Sequence, residues 1–144
     1  MTDPHEQYDP LYLQGIEYFN ECDFFEAHET WEDLWTQIQG DARKFYQGLI
    51  QVAVALYHFG NGNIRGARKL YHSSSKYLQP YRPIFEGIDL DKLLEEFKAC
   101  FEQVLQVEEE LQKIEIAKIE FPKMEIPVEK IPKIQLMPID SETS

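Results

Sequence analysis

Cysteine is scarce. Cys22 and Cys100 are the two thiols in 144 residues and have no CxxC spacing, which excludes a disulfide scaffold and reads as two reduced side chains. Long apolar runs are missing too: none approaches the roughly 20 residues a membrane-spanning helix needs. The polar stretch from Met1 to Asp9 lacks the basic and apolar regions of a secretory signal. A cytoplasmic protein away from membranes is the expectation. Basic residues are outnumbered, with 14 Lys plus Arg against 26 Asp plus Glu and a net charge of -12. Such a field repels nucleic acid and anionic lipid, so nucleic acid is not expected as a partner. Proline is missing from every position between 11 and 79, and that is where helices can run.

What is present suits one globular domain: 43% hydrophobic and 28% charged residues in a chain too short for two independent cores. Turn residues at 20–23, 40–41 and 60–63 divide the proline-free stretch. This predicts helices over 10–20, 23–39, 41–60 and 63–79. A fifth should follow the turn from Pro80 to Gly87, capped by Asp89 and ending near Gln112, with Leu93, Leu94, Phe97, Phe101, Val104 and Leu105 at helical spacing. Short loops favour antiparallel neighbours, so the expected fold class is all-α: a compact antiparallel bundle of about five helices over residues 1–112.

Residues 113–144 read differently, as apolar residues alternating with charges and broken by proline every five or six positions. No continuous helix fits. Two readings stay open, a solvated extended tail and an arm in which Ile114, Ile116, Ile119 and Phe121 dock on the bundle or on a neighbouring subunit. The second would allow a homo-oligomer built through the tail. Charge is segregated as well: residues 1–40 hold ten acids and no base, and residues 41–82 hold seven bases and one acid. Arg65, Arg68, Lys69, His72 and Lys76 share a broad polar face of the fourth helix, which reads first as a solvated surface.

The second helix carries the informative pattern. At about 100° per residue, Phe24, Ala27, His28, Trp31, Leu34, Trp35 and Ile38 fall on one apolar arc, and Glu32 lies one turn beyond His28 at its edge. Asp23 and Glu26 fit a capping box. The third helix is apolar almost all round, yet Gln47, Gln51 and His58 share a strip about 40° wide, extended by Arg43. An unpaired buried amide costs ~1 to 3 kcal/mol, so these groups require partners. A hairpin turning near Gly40 sets positions summing to about 80 level with each other, which brings His28 near Gln51 or Val52 and Glu32 near Gln47 or Gly48.

His28-Glu29-Thr30-Trp31-Glu32 reads H-E-x-x-E, one substitution from the H-E-x-x-H zinc pattern. The chemistry it suggests is metal-assisted hydrolysis. His28, Glu32 and His58 would ligate a divalent ion (Zn, Mn or Fe), Glu29 would be the base for a bound water, and Gln47 and Gln51 would orient a small-molecule substrate. Two alternatives use the same residues. One is a structural His28-Glu32 pair whose glutamines complete a buried network, in a non-enzymatic module that binds partner proteins. The other is a pocket that binds a small molecule without turnover. No GxSxG elbow is present, and Ser73 to Ser75 sit mid-helix.

Phe25-Glu26-Ala27-His28-Glu29-Thr30-Trp31-Glu32 with Trp35, then Tyr46-Gln47-Gly48-Leu49-Ile50-Gln51-Val52-Ala53, then Gly62-Asn63 and Gly66-Ala67, resemble in this order the uncharacterised family catalogued as domain of unknown function 309. The resemblance covers roughly residues 10–100. It implies a small all-helical fold and a bacterial, especially cyanobacterial, or plastid setting. Members of the family have been labelled predicted metal-dependent hydrolases.

Overall fold

The computed structural model describes residues 8–112 and 121–137. Six α-helices dominate them: α1 (Pro10–Asn20), α2 (Phe24–Trp35), α3 (Arg43–Gly60), α4 (Ile64–Leu78), α5 (Leu90–Cys100) and α6 (Glu102–Leu111). Pro10 opens α1 where its missing N–H is not needed, and the Asp9 carboxylate accepts from the Leu11 amide at 2.8 Å. Asn63 caps α4 through Gly66 N at 3.0 Å, and Asp89 caps α5 through Lys92 N at 3.0 Å. The Asp23-Glu26 capping box does not form. Asp23 stands at the N-cap of α2, but its side chain accepts no capping hydrogen bond.

Helix ends differ from the sequence expectation where side chains compete with the backbone. α2 stops at Trp35 and not at 39, because the Thr36 hydroxyl and the Gln37 amide both donate to Asp33 O, at 2.8 and 3.2 Å. The predicted fifth helix is two. Phe101 leaves helical geometry (φ -95°, ψ 7°) to bury its ring against Phe59, Tyr71 and Phe97 at 5.0, 4.8 and 5.1 Å. Between α4 and α5 a hairpin of two-residue strands, β1 (Ile84–Phe85) and β2 (Ile88–Asp89), pairs Ile84 with Asp89 and Phe85 with Ile88. Its turn needs positive φ at both central residues, and Glu86 (50°) and Gly87 (76°) supply it.

α1 packs against α2, α2 against α3 and α3 against α4. Phe19 meets Phe24 at 5.3 Å beside the α1–α2 turn, and at the far end Trp31 Nε1 donates to Tyr12 O at 3.2 Å. Gly15 makes that approach possible, since a Cβ there would run into the Trp31 indole. Across α2 and α3, Phe25 lies 5.6 Å from Tyr57 and the Arg43 guanidinium 3.9 Å over the Trp35 ring. Both pairs sum to about 80, as a turn near Gly40 requires. In the second turn of α3, a Cβ on Gly48 would sit 2.7 Å from Leu78 of α4. The core is built on Tyr12, Phe19, Trp31, Phe45, Phe59, Phe97 and Phe101, all shielded from water, and burying each such ring contributes about 1.5–3 kcal/mol.

Residues 121–137 lie against this core. Met124 and Ile134 are buried, and Phe121 is half-buried near Arg68. Asn20 at the end of α1 holds both backbone groups of Ile134 at 2.7 Å, donating to its carbonyl and accepting from its amide. Met137 N donates to Gly87 O at 2.7 Å. Ile114, Ile116 and Ile119 lie outside the described residues.

Candidate functional site

α2 carries His28 toward α3, with its side chain 20% exposed. Its Nδ1 lies 2.8 Å from Phe25 O one turn back, and its Nε2 lies 3.5 Å from Glu32 Oε1 one turn on. Phe25 O can only accept, so Nδ1 carries the proton of that bond, and Nε2 attracts the Glu32 carboxylate only when it too bears a proton. The expected His28-Glu32 i,i+4 contact is present at 3.5 Å. Glu29 is exposed, about 100° around the helix from His28.

The third-helix stripe is half-buried along Arg43, Gln47, Gln51 and His58, but it does not join His28 and Glu32 through hydrogen bonds. Gln51 Oε1 is enclosed and has no hydrogen-bond partner among the described residues. His58 Nδ1, in the last turn of α3, lies 3.2 Å from Asn63 Nδ2 at the N-cap of α4. Arg43 goes to Trp35, with Nη1 3.5 Å from Trp35 O, and Trp35 Nε1 is itself enclosed without a partner. Aromatic rings are what bridge the two histidines: His28 to Phe25 at 5.1 Å, Phe25 to Tyr57 at 5.6 Å and Tyr57 to His58 at 6.2 Å. Phe25 is 42% exposed and Tyr57 39%, so a pair of touching aromatics faces water on the α2–α3 side. Among the described residues no group of three or more His, Cys, Asp or Glu side chains is placed to hold a metal ion.

Two polar clusters escape the sequence reading. Glu108 on α6 is buried and meets Arg68 and His72 of α4. Burial pushes its carboxyl upward, but hydrogen bonds and charge from His72 and Arg68 outweigh this and hold it below the ordinary carboxylate range. Its signal lay in spacing: Glu108 stands four residues after the buried Val104, on the seam of α6. The second cluster surrounds the hairpin turn, where Tyr12 Oη donates to Glu86 O at 2.7 Å. Burial raises the Glu86 carboxyl, and burial followed by the neighbouring Glu86 charge raises the Tyr46 phenol.

These elements define a mostly helical protein with one short hairpin, whose most regular part runs from α1 into α4. Residues 12–70, which run from α1 into α4, match the family model described as Domain of unknown function (DUF309). Among curated proteins the chain is similar to the uncharacterized protein YpuF of Bacillus subtilis (strain 168), 37% identical over 92 residues that make up 62% of this chain and 53% of the relative. It is also similar to an uncharacterized protein of Aquifex aeolicus (strain VF5), 32% identical over 92 residues, 63% of this chain and 26% of the relative. The chain thus spans about half the length of the first relative and about a quarter of the second.

Proposed function

We propose that this protein is a non-enzymatic interaction module: a compact antiparallel helical bundle of the cytoplasm that presents the outer face of α2 and α3 to a partner polypeptide. The observation that carries this reading is the exposed Phe25-Tyr57 pair with its rings 5.6 Å apart. Glu29 and Glu32, four and seven residues after Phe25, share its helix face. The fitting partner is a segment with an apolar side chain to cover the rings and Lys or Arg beside it to meet the carboxylates. A photo-crosslinking amino acid placed at Tyr57, and as a control at the exposed Glu110 of α6, tests this in cells. A discrete adduct from position 57 that disappears in Phe25→Ala supports the module. Identical background from both positions sinks it.

A second reading, metal-assisted hydrolysis, keeps one specific support. His28 Nε2 and Glu32 Oε1 are 3.5 Å apart, a separation suited to two ligands of one small ion with bonds of about 2.0–2.2 Å. The Nδ1 contact to Phe25 O is the kind of outer bond that orients a ligating imidazole. A divalent ion held there would supply Lewis acidity. His28 and Glu32 would hold it, and Glu29, next to His28 as the Glu of H-E-x-x-H is next to its first His, would be the base for a bound water. Metal analysis of tag-free protein grown with zinc, manganese or iron decides between the readings: stoichiometric metal lost in His28→Ala favours the hydrolase, and none in either protein favours the module.

A further inference from the structure

The first turn of α3, the last turns of α4 and the 3-10 turn that follows (Gln79–Tyr81) line an open groove of about 630 Å³ to which α2 contributes no residue. Lys44, Ser73, Lys76, Tyr77, Pro80 and Tyr81 line it. No carboxylate is among them, and neither lysine forms an ion pair among the described residues, although the chain as a whole carries -12. Asp41, the single acid of residues 41–82, is not among the lining residues, and its backbone carbonyl accepts from Tyr81 Oη. That bond, with Phe45 and Phe85 packed at 5.6 and 4.8 Å, fixes the Tyr81 ring as a wall. Gly48 lets the backbone of α4 close on α3 beneath Tyr77, whose Cβ would lie 3.2 Å from a Cβ at that glycine. The groove is therefore shaped by packed elements, and its donors point from two of them.

Size and lining together specify a ligand class. Free phosphate would leave most of the groove empty, whereas clefts of about 300–1,000 Å³ suit small organic molecules. Two ammonium groups with the Ser73 and Tyr77 hydroxyls offer charge-assisted donors to a dianion with three oxygens. Tyr77, Pro80 and Tyr81 offer flat apolar walls to a ring. We propose that this groove binds an organic phosphate monoester that includes a planar ring, with Lys44 and Lys76 holding the phosphate and the tyrosines covering the ring. This site is separate from the α2–α3 face and does not depend on the function assigned to it.

Titration of the full chain, followed by amide NMR, with adenosine 5′-monophosphate, phenyl phosphate and inorganic phosphate tests the assignment. Both organic phosphates should shift the Ser73, Lys76 and Tyr77 signals saturably below a few millimolar, and inorganic phosphate should bind about tenfold more weakly or worse. Lys44→Gln with Lys76→Gln should weaken the organic phosphates by about tenfold or more. Both lysines are exposed, so the double variant should keep its thermal midpoint; if the midpoint falls, Lys76→Gln alone is read in the same way. Absence of saturable shifts with both organic phosphates, equal affinity for inorganic phosphate, or undiminished binding by the variant overturns the proposal.

Discussion

His72 Nε2 on α4 lies 2.9 and 3.0 Å from the two carboxylate oxygens of Glu108 on α6, and the Arg68 guanidinium meets the same carboxylate. This three-residue knot joins the fourth helix, where the matched stretch ends, to a helix beyond it. Tyr71, between the two bases, stacks on Phe101 at 4.8 Å and faces Glu108, whose charge adds to burial in raising its phenol.

Removing the knot's carboxylate charge should destabilise the fold. Glu108→Gln leaves a half-buried Arg68, whose Nε already lacks a partner, without its counter-charge. A loss of roughly 1–3 kcal/mol is expected in urea unfolding at pH 7, below the figure for a fully buried pair because Arg68 keeps access to water. The pH dependence follows from the depressed carboxyl. A group whose folded pKa lies below its unfolded value stabilises the protein above the unfolded value, about 4.3 for Glu, and that stability disappears as pH falls through the folded value. The gap between the wild type and Glu108→Gln should therefore be largest near pH 7 and shrink below about pH 4. A gap that is constant with pH would show that Glu108 acts through packing alone.

How far the sequence reaches is clearest in the helices. The first four were legible because proline is absent from 11 to 79 and glycine or asparagine marks each break. The level pairing of α2 with α3 followed from the turn position, and Phe25-Tyr57 and Trp35-Arg43 obey it. The hairpin was missed because two residues per strand leave no alternation to read. The split at Phe101 was hidden because Phe97, Phe101 and Val104 keep helical spacing across it, and the cause is distant rings. Of the candidate site, the His28-Glu32 pair is local to one helix and was readable. The orientation of Gln51 and His58 depends on neighbours that no periodicity encodes.

Gly15 tests the packing of α1 on α2. Alanine in an exposed helix interior stabilises by up to about 1 kcal/mol over glycine. Here a Cβ would collide with the rigid Trp31 indole, which is fully buried and tied to Tyr12 O. The steric cost should win, and Gly15→Ala should lower stability by about 1–3 kcal/mol. Trp31 fluorescence should shift as the ring is displaced. A stabilised variant with unchanged emission would contradict the close approach.

Cys22 and Cys100 should differ sharply toward alkylation. Cys22 is exposed, whereas Cys100 is buried and its thiol is pushed up to about 12, first by burial and then by the nearby Glu129 charge. The thiolate is the reactive form, so Cys100 should stay unlabelled by iodoacetamide at pH 8 until the protein unfolds, while Cys22 reacts. Peptide mass spectrometry before and after denaturation reads the difference. Equal labelling of both in the native state would mean that the α5 end opens readily.

Asn20 is the side chain that fixes residues 121–137 to α1, through its two 2.7 Å bonds to Ile134. Lys133 adds its Nζ to Asn20 O at 2.6 Å, and Ile134 itself is buried in the core cluster. Asn20→Ala removes both side-chain bonds and leaves the Ile134 amide and carbonyl to find water, at a cost of about 1–3 kcal/mol. Hydrogen exchange should respond locally: the Ile134 amide loses protection while amides in the middle of α3 keep theirs. Equal deprotection of both regions would show that this arm and the helices unfold as one unit, and an unchanged Ile134 would show that burial of its side chain, not the asparagine, holds the segment in place.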